Sequence, residues 1–137
     1  MIVVLLLVLL LPTACSPREL PPQLSYTPGP PYTLDGRTLV TDRYIVETPD
    51  GWRVIAGPAE DPYTFQFVAP DNDALIVLSD HEITDPPQPL NVGAGTLMTE
   101  NTQIQTGDTP LYAVLVAPAA DIDGHRPTLD ELIGSVR

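Results

Sequence analysis

From residue 34 to the end of the chain, the apolar residues fall into short runs rich in β-branched and aromatic side chains, cut apart by Gly, Pro, Asp and Asn. That punctuation is the signature of antiparallel strands, because proline and the turn-forming residues stop a helix before it can propagate. Residues 37–41 and 44–48 are two such runs, and Pro49-Asp50-Gly51 turns the chain, since proline presets φ and glycine accepts a positive one. Residues 52–55 continue after that turn. In Tyr63-Thr64-Phe65-Gln66-Phe67 the rings alternate strictly with polar residues, so all three rings share one strand face, which is predicted to be core. Leu75-Ile76-Val77-Leu78 is apolar throughout and suits a central strand buried on both sides, paired as a hairpin across the turn at Pro70-Asp71-Asn72-Asp73. A proline-broken stretch and Gly93-Ala94-Gly95 lead to a polar strand at 96–106. Gly107-Asp108-Thr109-Pro110 then turns into a second fully apolar strand at 111–117.

Near the end the period changes. Thr128 and Glu131 fit a capping box, and Leu129, Leu132, Ile133 and Val136 follow at helical spacing, predicting a short helix with one apolar face. The fold class is therefore α+β: a mainly antiparallel sheet with one short C-terminal helix packed on it. Residues 34–137 read as a single β-rich globular domain.

Upstream the composition is different. Residues 2–11 are uniformly aliphatic, about half the ~20 residues needed to cross a bilayer, and Pro12 discourages extension, which suits the apolar core of a secretory signal over residues 1–14. Leu11-Pro12-Thr13-Ala14-Cys15 resembles the bacterial lipobox, although Pro12 stands where that motif usually has an aliphatic residue and no basic residue precedes the apolar run. The resemblance implies cleavage before Cys15, lipid attachment to its sulfur, and residence at the cell membrane or outer membrane with the domain exported. Cys15 is the only cysteine, so no disulfide is available and the core must supply the stability. Residues 15–33 carry Pro17, Pro21, Pro22, Pro28, Pro30 and Pro31, and read as a semi-rigid tether of polyproline character.

The formal net charge is −12, and all six basic residues are arginine, which excludes nucleic acid and anionic lipid headgroups as partners of the domain surface. The partners expected are the membrane, through covalent lipid, and an unidentified protein or small ligand. No metal site or cofactor is expected, because His81 and His125 lie far apart and the one thiol is committed to lipid. Asp71-Asn72-Asp73 and Asp121-Ile122-Asp123-Gly124 offer paired oxygens but read as turns, with Leu132 where a calcium loop beginning at Asp121 requires glutamate. No catalytic residue is assigned. Gly134-Ser135 falls in the helix, and in Ser79-Asp80-His81-Glu82 adjacent strand residues point to opposite faces and form no relay. Trp52 is the candidate binding residue, either plugging the edge of the core or offering a stacking platform.

The segment Tyr44-Ile45-Val46-Glu47-Thr48-Pro49-Asp50-Gly51-Trp52, followed by the strands at 63–69 and 75–79 and the terminal helix, resembles PsbP-like domains. The loop at 86–95 takes the place of a helix in that family. The resemblance implies a binding or assembly module and transfers no functional residue. The functional expectation is thus a membrane-anchored bacterial lipoprotein with a non-catalytic interaction or ligand-binding domain. A cell-wall or carbohydrate binder, with Trp52 or Tyr44 exposed in a groove, is the alternative. A small hydrolase would need Asp80, His81 or His125 to converge in a pocket.

Overall fold

The computed structural model describes residues 30–137; the signal segment, Cys15 and the tether up to residue 29 lie outside the described residues. Among the described residues eight strands form two antiparallel sheets. The first is three-stranded, with β1 (Tyr32–Asp35), β2 (Thr38–Thr41) and β3 (Ile45–Glu47) in that order. The second comprises β4 (Arg53–Ala56), β5 (Phe65–Val68), β6 (Leu75–Ser79), β7 (Leu97–Thr106) and β8 (Thr109–Pro118), ordered β4-β5-β6-β8-β7. One helix, α1 (Ile122–Ser135), closes the described chain. None of the described helices is long and apolar enough to cross a membrane.

The expected hairpin at 65–78 is β5 paired with β6, Phe65 opposite Leu78 and Val68 opposite Leu75. All of β6 is buried because the sheet is covered on both faces. Ile76 and Leu78 join the main core with Phe65, Phe67, Leu115, Leu129 and Leu132, while Leu39 and Val46 contribute to it from the smaller sheet. Leu75 and Val77 point the other way and meet Val114, Val116, Ile83 and Leu97 under the connection between β6 and β7.

The turn at Pro49-Asp50-Gly51 forms as its residues dictate, with Gly51 at φ 75° and the Trp52 amide donating to the Pro49 carbonyl at 3.1 Å. What the turn does was not visible in the sequence: it carries the chain out of one sheet and into the other. The domain also starts earlier than residue 34. β1 begins at Tyr32, whose ring stands edge-on to Phe65 at 5.1 Å, so this half-buried residue packs against the core.

Two expectations are corrected. Only Phe65 and Phe67 of the three alternating rings are buried; Tyr63 precedes β5, is half-buried, and lies under the Arg43 guanidinium at 3.7 Å. The helix begins at Ile122, well before Thr128, so Asp121-Ile122-Asp123-Gly124 is its N-terminus and not a free turn. Burial of Ile122 in the core outweighs the cost of Gly124 and of Pro127, which lacks the amide that would bond one turn back. Thr128 then lies in the helix interior and caps nothing, and Glu131 faces Arg37 at 3.8 Å.

The helix ties the two sheets together. Its apolar face lies on β8 and β3, Ser135 Oγ accepts the Glu47 amide at 3.0 Å, and Arg137 exchanges both backbone hydrogen bonds with Ile45 at 2.9 Å.

Candidate functional site

Titratable side chains gather where β6 ends. The strand stops at Ser79 and the chain bends, so Asp80 and His81 no longer obey the alternation of a strand. This overturns the expectation that these neighbours cannot meet. Ser79 Oγ lies 2.9 Å from His81 Nδ1, and Asp80 Oδ1 lies 3.1 Å from the same nitrogen.

The third member comes from a distant part of the sequence. Extending the β5–β6 register places Thr64 beside Ser79, their hydroxyls 2.7 Å apart. The loop leading into Thr64 is closed by its own backbone: the Gly57 amide donates to the Thr64 carbonyl at 2.8 Å and the Asp61 amide to the Pro58 carbonyl at 2.9 Å. This places Asp61 Oδ2 3.6 Å from His81 Nε2. Arg43, laid over the Tyr63 ring, makes an ion pair with the other oxygen of Asp80. Arg43, Asp61, Tyr63, Asp80 and His81, together with Glu60 and Pro62, line an open cleft of about 500 Å³. Beneath it Tyr44 is buried and donates its hydroxyl to the Tyr63 carbonyl at 2.9 Å; burial, then the Asp80 and Asp61 carboxylates, push its phenol pKa upward. Tyr44 is therefore not a groove platform.

Gly57 is the backbone requirement of this site. A Cβ there would come within 2.8 Å of both the Asp61 and Thr64 carbonyl oxygens, and neither is a flexible side-chain end. Gly57→Ala is expected to destabilise the domain by about 1–3 kcal/mol, as overpacking does, and to displace Asp61. Urea titration measures the first effect, and loss of the amide chemical-shift pattern at residues 58–64 reports the second.

In this arrangement His81 is not poised to activate the Ser79 hydroxyl. A carboxylate only accepts, so the Asp80 contact places a proton on His81 Nδ1, and that nitrogen then has no lone pair to withdraw the Ser79 proton. Ser79 also has no exposed surface.

His125 is elsewhere. Its Nε2 lies 3.3 Å from Asp73 Oδ2 and its ring stands edge-on to Trp52, centroids 5.8 Å apart. Trp52 is half-buried, packs in part against the core, and has that imidazole beside it. Asp71-Asn72-Asp73 is a turn, with Asn72 at φ 58°.

A second surface concerns the backbone. Among the described residues β7 is the outer strand of its sheet, ten residues long, each of them exposed or half-buried. Native edges are usually short or interrupted by Lys, Pro or a bulge, because unpaired N–H and C=O groups accept any passing strand. The opposite edge, β4, has four residues and carries Arg53. β7 contains no Lys, Arg, Pro or Gly, and Glu100, its one charge, is tied to Arg126 at 2.6 Å. Beside it, on the face opposite the helix, a hollow of about 220 Å³ is lined by Ile83, Asn101, Gln103, Tyr112 and Val114.

No protein family, curated protein or solved structure compared with the chain matches it.

Proposed function

We propose that this chain is a lipid-anchored protein of the bacterial cell envelope whose β-rich domain is a non-catalytic interaction module, recruiting an extended segment of a partner protein by strand addition along β7. The single observation that carries the reading is that ten-residue edge, left without the charges and prolines that normally blunt one. In strand addition, main-chain hydrogen bonds supply affinity and adjacent pockets select alternate side chains; the hollow between Ile83 and Gln103 is placed for the second task. The lipobox-like ending at Cys15 supports the anchor. The PsbP-like resemblance, through a family of binding and assembly modules, points in the same direction. Against a hydrolase stands the chemistry of Ser79, whose hydroxyl is fully buried and meets an imidazole nitrogen whose proton is held by Asp80.

The test is a photo-cross-linking residue at Gln105 in the native membrane, compared with one at Asp130, an exposed position of α1. A discrete adduct from position 105 alone is expected. Adding Asn101→Lys and Gln103→Lys, both exposed and so compatible with folding, abolishes that adduct. Equal adducts from both positions, or an adduct indifferent to the two lysines, refute strand addition.

A further inference from the structure

Asp80 fixes the His81 ring through Nδ1, and Asp80 is itself fixed by Arg43 lying over Tyr63. This turns Nε2 toward Asp61 Oδ2, 3.6 Å away. That separation is too long for a hydrogen bond. It suits a cation. Metal–nitrogen and metal–oxygen bonds of about 2.0–2.2 Å close a 3.6 Å span at roughly 120°, an angle open to a four-coordinate ion.

We infer that His81 Nε2 and Asp61 bind a divalent transition-metal ion of the zinc type, with Asp80 as the positioning residue that holds the imidazole in the ligating tautomer. Asp61, Asp80 and His81 each bring a candidate ligand atom within 4.8 Å of the others. A carboxylate accepting a hydrogen bond from the far nitrogen of a ligating imidazole is the arrangement that raises ligand basicity at metal sites. The donor set also sets the class of ion: imidazole with carboxylate suits zinc, copper or nickel, whereas calcium and magnesium call for oxygen ligands alone. With two protein ligands the ion keeps positions open to water or to a group from a partner. The surroundings favour entry, since Glu60, Asp61 and Asp80 outweigh Arg43 in a chain of net charge −12. The proposal is independent of strand addition at β7, which involves none of these residues.

Calorimetric titration of the full-length protein with zinc chloride is expected to show one saturable equivalent. His81→Ala, at a largely exposed side chain, and the isosteric Asp61→Asn each remove it while leaving the circular dichroism spectrum native. Asp80→Asn, which keeps an acceptor near Nδ1 but loses its charge, weakens binding about 10- to 100-fold. Nitrogen-15 spectra then show the Nε2 resonance of His81 moving on zinc addition while Nδ1 stays protonated, a response that a merely structural Asp80 would not produce. Absence of a saturable isotherm, zinc uptake unaffected by His81→Ala, or calcium binding as tight as zinc overturns the inference.

Discussion

Phe65→Ala is expected to lower the unfolding free energy by about 3–5 kcal/mol, the usual cost of emptying a well-packed aromatic site. Phe65 has no exposed surface, meets Tyr32 edge-on at 5.1 Å and Tyr44 at 6.5 Å, and sits where the two sheets share one core. Collapse of the cavity is resisted on every side, because β1, β3 and α1 are held to the core by different contacts. A domain of this size has about 5–15 kcal/mol in total, and no disulfide can make up the difference, so the variant approaches marginal stability. Leu90→Ala is the control: that side chain is 84% exposed, and its removal changes stability by no more than about 0.5 kcal/mol. Urea unfolding of both variants followed by circular dichroism makes the comparison. A loss at Phe65 no larger than that at Leu90 would mean that the sheets do not share a core.

The second large effect concerns location. Cys15→Ala is expected to move the protein from the membrane fraction to the soluble fraction and to remove a lipid-sized mass from the intact molecule. Each buried methylene contributes about 0.8 kcal/mol, so one acyl chain holds marginally and two or more hold stably, and their joint removal leaves little to retain an acidic domain on a membrane. The described helix offers no substitute, since it does not have the length or apolarity to span. Retention of the alanine variant in the membrane, or a native mass without lipid, would rule out the anchor at Cys15.

The elements visible in the sequence are those dictated by strict local periodicity. Phe65 and Phe67 alternate with Gln66, and the apolar run Leu75-Ile76-Val77-Leu78 of β6 could be stable only with both faces covered, so their pairing followed from composition and one turn. The helix start was hidden because Gly124 and Pro127 are local breakers, and the burial of Ile122 that overrides them is a tertiary effect. The cleft was hidden for another reason. Asp61 precedes His81 by a whole hairpin and reaches it only through the β5–β6 register, while Asp80 and His81 meet because β6 ends one residue earlier, at a point no periodicity marks. The edge at β7 was half legible: a polar strand was evident at 96–106, but that it lies outermost follows from the strand order, in which β8 is inserted between β6 and β7.

Amide hydrogen exchange along β7, compared between the membrane-held native protein and the same chain purified alone, tests strand addition most directly. An added strand engages the outward-facing amides of residues 97–106 in a ladder, so they exchange slowly in the native setting and quickly in isolation, while those of β4 are unchanged. Exchange along β7 that is equally fast in both would show that no strand occupies this edge.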